Sequence, residues 1–258
     1  MKIQLCQTNI IWENKELNLK KAEKIIENSQ CDMLLFPEMS FTGFSNNTSV
    51  TGESDSFTVN KLKDFSLKYN KTLGFGWVYK ASEKAENHYT FVSNGNVLAD
   101  YAKIHPFSYG GEDEFFVGGN DLTVFEYKGF KFAPLICYDL RFPEIFQAVS
   151  KKANIITVAA NWPASRSEHW KTLLKARAIE NMCYIVAVNC VGAIGGLDYS
   201  GDSCVITPNG DVIDMLSGAE GSVICDINND VADYRKKFPT KDDRKVQLYI
   251  DLYKKMLL

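Results

Sequence analysis

The sequence predicts an α/β fold with mixed β-structure, on three observations. Short apolar runs of strand length alternate with helix-spaced segments in the first and third quarters of the chain. Two Asn-Gly pairs, Asn94-Gly95 and Asn209-Gly210, sit between β-rich runs, so some neighbouring strands pair antiparallel. No repeat, linker or change of composition divides the 258 residues, so 1–258 reads as one domain.

The elements follow in order. Residues 2–7 form a first strand, and Leu17–Ile26 carries Leu19, Ala22, Ile25 and Ile26 at helical spacing, with Asn18 as a cap. Met33–Phe36 is a buried strand ended by Pro37. Asn60–Tyr69 is helical, and Thr72–Tyr79, Tyr89–Ser93 and Val97–Lys103 are strands, the last two joined by Asn94-Gly95. Residues 104–120 hold a proline, four glycines and three acids and read as a long loop, a length that usually carries function.

Strands Leu122–Tyr127 and Phe130–Cys137 follow. Pro143 opens a helix to Val149, because its missing N–H costs nothing at a first helical position. Ile155–Ala160 is a buried strand, and Ser165–Glu168 has the spacing of a capping box at the head of a helix reaching Asn181. Tyr184–Asn189, Asp202–Thr207, Val212-Ile213 and Ser222–Cys225 complete the strands. The polar C-terminal segment reads as a helix or an arm.

Composition narrows the function. At 45% hydrophobic and 24% charged, the chain buries a real core without disulfides or a structural metal. A net charge of −3 with no basic run beyond Arg235–Lys237 gives no footprint for nucleic acid or an anionic membrane. No run of about 18 apolar residues predicts a membrane span, and MKIQLCQTNI lacks a signal-peptide h-region. The seven cysteines contain no C-x-x-C pair and mostly sit in apolar runs, which predicts free thiols and a cytoplasmic protein.

Four residues sit where α/β folds place chemistry, at strand ends and in the long loop. They are Glu38 after Pro37, Lys103 closing the Val97 run, Glu112 in the loop, and Cys137 ending the Phe130 run. Taken singly, each has a plainer reading: a turn or cap for Glu38, a surface charge for Lys103, a solvated acidic run for Glu112-Asp113-Glu114, and inert packing for Cys137.

The strings around them are more specific. FPEMSFTGF at 36–44, KIHPF at 103–107, LICYDLRFPE at 135–144 and NWPASRSEHWKTLLKARAIEN at 161–181 resemble the nitrilase superfamily of carbon–nitrogen hydrolases. The likeness is greatest to the omega-amidase branch, and it runs from Gln7-Thr8-Asn9 to the hairpin at Thr207–Gly210.

The resemblance implies a four-layer αββα sandwich with two mixed sheets, and a Glu–Lys–Cys site. Cys137 would be the nucleophile, Glu38 the base, Lys103 the oxyanion donor with help from a backbone N–H near Cys137, and Glu112 the family's second glutamate. These residue types suit the task. An amide is a poor electrophile, and attack by sulfur splits its hydrolysis into two easier steps through a thioester. A free thiol is mostly protonated at neutral pH, so it needs a base that later protonates the departing ammonia.

Tyr138, Trp162 and Arg166 are the substrate-binding candidates, with Phe44 as a second wall. For Trp162 and Phe44 the alternative is a place in the core. Arg141 either meets a substrate carboxylate or pairs with Glu144 or another buried acid. His105 is a structural neighbour of Lys103 or an alternative base, and His169 a hydrogen-bonded packing residue. The histidines and cysteines lack zinc-ligand spacing, and Gly192, Gly195 and Gly196 do not form a phosphate loop, so no metal and no cofactor is expected.

The resemblance further implies a small-molecule amide substrate of the 2-oxoglutaramate or 2-oxosuccinamate type. It also implies a homodimer built on Pro143–Val149 and Ser165–Asn181. The alternatives are another small-amide or carbamoyl hydrolase such as deaminated-glutathione amidase, then a nitrile hydrolase, and outside enzymes a catalytically silent oligomeric binding module.

Overall fold

The computed structural model describes residues 1–228 and 230–257. The chain begins with β1 (Lys2–Gln7), α1 (Lys15–Asn28), β2 (Met33–Leu35), α2 (Thr48–Thr51), α3 (Phe57–Tyr69), β3 (Thr72–Tyr79), β4 (Glu86–Ser93) and β5 (Asn96–Ala102). It continues through α4 (Glu112–Phe115), β6 (Phe125–Tyr127), β7 (Phe130–Ile136), α5 (Pro143–Val149), β8 (Ile155–Ala160), α6 (Ser167–Asn181) and β9 (Tyr184–Asn189). It ends with β10 (Val191–Ile194), β11 (Leu197–Ile206), β12 (Val212–Ser217), β13 (Gly221–Asp226), α7 (Val231–Lys237) and α8 (Val246–Leu257).

Two mixed sheets result. One has the order β13-β1-β2-β3-β4-β5, and the other runs β10-β11-β9-β8-β7-β6 with β12 beside β11. β1, β2 and β3 are parallel neighbours, as are β7, β8 and β9, and the hairpins at their flanks are antiparallel. This is the mixture that alternating βα units and Asn-Gly turns predict. β13 pairs antiparallel with β1, so a late strand closes the first sheet.

The sheets face each other across the main core. Ile3, Leu5, Met33, Leu35, Tyr89 and Phe91 of the first sheet meet the face of the second that carries Phe132, Ile136, Ile155, Val186 and Val205. On the outer face of the first sheet, Leu19, Ala22 and Ile26 of α1 and Leu62 and Phe65 of α3 pack on Cys6, Leu34, Leu73 and Phe75. Phe146 of α5 and Trp170, Leu174 and Ala178 of α6 cover the second. The layer order is helix, sheet, sheet, helix, with each strand burying one alternate set of side chains on each side.

Several local expectations need correction. α1 is capped by Asn14, which accepts from the Leu17 N–H, whereas Asn18 is buried and bonds to Ile11 and Phe41. No capping box forms at Ser165–Glu168: residues Ala164–Arg166 make a 3-10 turn, and α6 follows with no side-chain cap. The loop 104–120 contains a 3-10 turn at Ser108–Gly110 and the short α4. β7 stops at Ile136, so Cys137 opens a 3-10 turn instead of ending the strand.

Candidate active site

Four chain segments converge at one end of the two sheets. β2 runs into the turn that carries Glu38, and the next residue, Met39, has φ +42°. Gly76 of β3 lies so close that a Cβ there would meet the Met39 nitrogen at 2.3 Å. Only glycine lets the two backbones approach this way. Lys103 follows β5, Glu112 begins α4, and Cys137 begins the turn after β7.

Cys137 has φ +44°, a left-handed conformation that costs a residue with a Cβ about 1–3 kcal/mol. The sharp bend brings the sulfur out of the sheet to line a pocket. Buried Asp139 holds the bend. It accepts from the Ile136 N–H at 3.0 Å, Tyr101 Oη at 2.8 Å and the His105 N–H at 3.1 Å, and pairs with His105 Nδ1 at 2.9 Å. It thereby ties the Cys137 turn to the segment after Lys103. His105 also stacks on Phe142 with ring centroids 3.7 Å apart.

Beneath the thiol is a buried ionic cluster. Lys103 Nζ lies 2.9 Å from Glu38 Oε1 and 2.8 Å from Glu112 Oε2, and all three side chains are essentially inaccessible. Buried charges persist only when paired and hydrogen-bonded, and here the remaining valences are largely filled. Asn87 Nδ2 donates to Glu38 Oε1 at 2.8 Å and to Glu112 Oε1 at 3.1 Å. The Asn161 N–H donates to Glu38 Oε2 at 2.9 Å, and the Phe107 N–H to Glu112 Oε2 at 2.6 Å. Glu112 is therefore the member of the acidic run that enters the site, while Asp113 and Glu114 are exposed.

Electrostatics follow from this geometry. Burial opposes the charge on Lys103, but the Glu112 and Glu38 carboxylates outweigh it and raise its pKa, so it is an ammonium. Burial, then the Glu38 charge, push the Cys137 thiol well above its usual range, with Lys103 pulling the other way. At neutral pH the sulfur is a thiol beside a carboxylate, not a preformed thiolate. Lys103 commits two of its three protons to the glutamates, and its side chain borders the pocket.

The pocket itself is small, about 50 Å³. Cys137, Tyr138, Trp162, Arg166, Arg141 and Phe44 line it, so the sequence-derived site residues converge there, and both aromatic walls face it. Arg141 lies 4.8 Å over the Trp162 ring and Arg166 5.5 Å over the Phe107 ring. Arg141 does not pair with Glu144; its side-chain contact is His169 Nδ1 at 3.3 Å, and that histidine is exposed rather than packed. Among the described residues neither arginine has a carboxylate partner, and no group of three or more His, Cys, Asp and Glu is placed to hold a metal ion.

Sequence reasoning missed Asn87, Asn161 and Asp139, and also Tyr199, which lines the pocket. Asn161 and Asp139 stand inside quoted motif strings. Asn87 lies before the expected start of its strand, at Tyr89, and only its polarity in a β-rich run signals it.

A buried Glu–Lys–Glu cluster under a cysteine, between two mixed sheets flanked by helices, defines a class of hydrolase, and the comparisons agree. Residues 2–236 match the carbon–nitrogen hydrolase family, and the chain belongs to it. It is a hydrolase of amide carbon–nitrogen bonds. Similar proteins include the 2-oxoglutaramate amidase of Bacillus subtilis, 34% identical with 96% of this chain and 98% of that protein covered. Omega-amidase YafV of Escherichia coli K12 is 32% identical over 94% and 96% of the two chains. Among solved structures, XC1258 from Xanthomonas campestris, a CN-hydrolase superfamily protein with an arsenic adduct in its active site, superposes with a TM-score of 0.89. It is 29% identical, with 95% of this chain and 97% of that one covered. No described helix is long and apolar enough to cross a membrane.

Proposed function

We propose that the protein is an omega-amidase, hydrolysing the ω-amide of small 2-oxo acids such as 2-oxoglutaramate and 2-oxosuccinamate to the dicarboxylate and ammonia. The observation that carries this reading is the pairing of the Glu38–Lys103–Glu112–Cys137 cluster with two arginines free of carboxylate partners among the described residues. The cluster suits amide hydrolysis, and a pocket with unpaired cations suits a substrate whose far end is a carboxylate. The names of the relatives support the same choice.

The chemistry follows from the protonation states. Cys137 Sγ attacks the amide carbon while its proton passes to Glu38, since a thiol this high needs a base at the moment of attack. The C=O π pair moves to oxygen, and the oxyanion accepts hydrogen bonds from the third N–H of Lys103, which keeps its proton, and from a backbone N–H of the turn at Tyr138. Such donors are worth roughly 3–4 kcal/mol each. As the C–N bond breaks, Glu38 returns the proton to nitrogen and ammonia leaves a thioester. Water, deprotonated by Glu38, attacks the same carbon. The C–S bond breaks, the acid is released, and the sulfur recovers its proton from Glu38. Glu112 holds Lys103 in line.

Arg166 and Arg141 bind the distal carboxylate, with Tyr138 and Trp162 as walls. Residues 1–258 act as one hydrolase unit in the cytoplasm, a placement supported by seven free cysteines. The working form is a homodimer or an assembly of it. Exposed Ile179 on α6 and exposed Leu248, Ile250, Leu252 and Met256 on α8 support an interface. A monomer at micromolar concentration by sedimentation rejects it.

The deciding experiment is an ammonia-release screen over ω-amides of 2-oxo acids, amino acids and peptides, with Cys137→Ala as control. The highest kcat/KM is expected on 2-oxoglutaramate or 2-oxosuccinamate. Preference for deaminated glutathione or a neutral amide overturns the substrate assignment, and absence of release from every amide overturns the amidase.

A further inference from the structure

We propose that Asn87 is a positioning residue for the hydrolysis, sharing one amide nitrogen between Glu38 and Glu112 so that both are held in place about a single lysine. Asn87 lies on β4 opposite Val78 and is 2% exposed. Its backbone carbonyl accepts the Lys103 N–H at 2.8 Å, and its Nδ2 reaches Glu38 Oε1 at 2.8 Å and Glu112 Oε1 at 3.1 Å. One residue thus fixes the backbone of the lysine and both of its partners.

Its own hydrogen bonding shows what the position demands. Asn87 Oδ1 is buried with no hydrogen-bond partner among the described residues. Reversing the amide would turn that oxygen toward two carboxylates and cost each of them a donor, so the neighbours set its orientation. A buried acceptor without a partner destabilises the fold. A strand residue with only a packing role gains nothing by keeping one. What the orientation supplies is two donors from one nitrogen, which neither a serine hydroxyl nor a carboxylate can offer.

The consequence concerns the base. Two buried carboxylates share one ammonium, and Glu38 must also meet the Cys137 sulfur. The groups around the pair are Lys103, the Cys137 thiol, and the Asn161 and Phe107 N–H groups. Among the described side chains only Lys103 and Asn87 donate to both carboxylates. Asn87 therefore fixes where the two carboxylates sit about the ammonium, and with that the direction from which Glu38 faces the sulfur.

This inference rests on Glu38 being the base, and the test separates the two. The full chain carrying Asn87→Ser, Asn87→Asp or Asn87→Gln is assayed for kcat, KM and melting temperature. In Asn87→Ser, kcat is expected to fall about tenfold or more with KM within about threefold, because the base and not the substrate is affected. Asn87→Asp, equal in volume, is expected to be inactive at neutral pH. Asn87→Gln, which keeps both donors, is expected to recover most of the kcat that Asn87→Ser loses. A kcat within about threefold of the parent in Asn87→Ser, or a KM that rises as much as kcat falls, overturns the proposal whatever the melting temperature, as does turnover within about threefold of the parent in Asn87→Asp. If Asn87→Ser does not fold, Asn87→Asp and Asn87→Gln decide by the same readings. Turnover surviving in Glu38→Gln rejects the base itself. A dead Glu38→Gln beside a parental kcat in Asn87→Ser rejects only the role of Asn87.

Discussion

At the floor of the pocket, Glu38, Lys103 and Glu112 are sealed from solvent, and hydrogen bonds from Asn87, Asn161 and Phe107 brace both carboxylates. At its mouth, Arg141 and Arg166 are half-buried, lie over aromatic rings and have no carboxylate partner among the described residues. The floor is a buried ionic cluster whose carboxylates are paired within the protein. The mouth holds two arginines without a carboxylate partner among the described residues. On the proposed roles, chemistry and specificity are held by different residues, and substitutions in the two regions must fail differently.

The largest effects belong to the floor. Cys137→Ala is expected to abolish turnover with little change in melting temperature, because it removes one sulfur at the pocket wall and no core layer. Lys103→Met is expected to lose about 10³-fold or more in kcat/KM on charged and neutral amides alike. It should also destabilise the protein by about 3–5 kcal/mol, since it leaves two buried carboxylates without their cation. Equal melting temperatures for Lys103→Met and the parent would show that the cluster contributes nothing to the fold.

Glu112 divides the floor from its surface. Glu112→Gln is expected to cut kcat/KM about 10²-fold, because it removes a buried charge from the Lys103 ammonium. Asp113→Asn and Glu114→Gln, both exposed, are expected to stay within about threefold. Sensitivity at either neighbour instead of Glu112 would contradict the burial pattern. At the mouth, Arg166→Ala and Arg166→Lys are expected to lower kcat/KM on 2-oxo-acid amides about tenfold, or about 1.4 kcal/mol. The loss should be much smaller on hexanamide, which has no carboxylate. Equal losses on both substrates would make Arg166 structural.

The legibility of the two regions in the sequence differs for physical reasons. Strands such as Ile155–Ala160 and Tyr184–Asn189 were readable because burial on both faces leaves a continuous apolar run, and the hairpin at Asn94-Gly95 because few residues take its φ. Glu38, Lys103 and Cys137 were readable as polar residues at the ends of such runs, and as the family motifs. Glu112 was distinguishable from Asp113 and Glu114 only by that resemblance, since an acidic run carries no periodicity. The cap at Asn14 and the absence of a capping box at Ser165 were not readable, because Asn14 and Asn18, or Ser165 and Ser167, offer the same chemistry a few residues apart. Asn87 was hidden for another reason. Its role depends on three residues brought from β2, β5 and α4, and no spacing along the chain encodes that convergence.

The smallest expected effect tests whether the mouth has a support of its own. Asp202, beside the first turn of α6, accepts from Ser167 Oγ at 2.7 Å, Ser200 Oγ at 2.6 Å and Ser217 Oγ at 2.5 Å, with Lys171 Nζ at 3.8 Å. Burial works against its charge, but the hydroxyls of Ser200, Ser217 and Ser167 outweigh it, and its pKa lies below the ordinary aspartate value. A carboxyl with a lowered folded pKa contributes stability above its unfolded value, about pH 3.9, and loses it as the pH falls through the lowered value. Asp202→Asn lacks that contribution, so the gap in melting temperature between parent and variant is expected at pH 6 and should close on acidification below about pH 4. Because Ser167 adjoins Arg166, the variant should also lose about two- to threefold in kcat/KM on a 2-oxo-acid amide. Alkylation of Cys137 by iodoacetamide should keep its parental rate, since no hydrogen bond of the floor passes through Asp202. A gap that widens toward low pH would reverse the sign of the Asp202 contribution. A slowed alkylation would join the two regions that the hydrogen bonds keep apart.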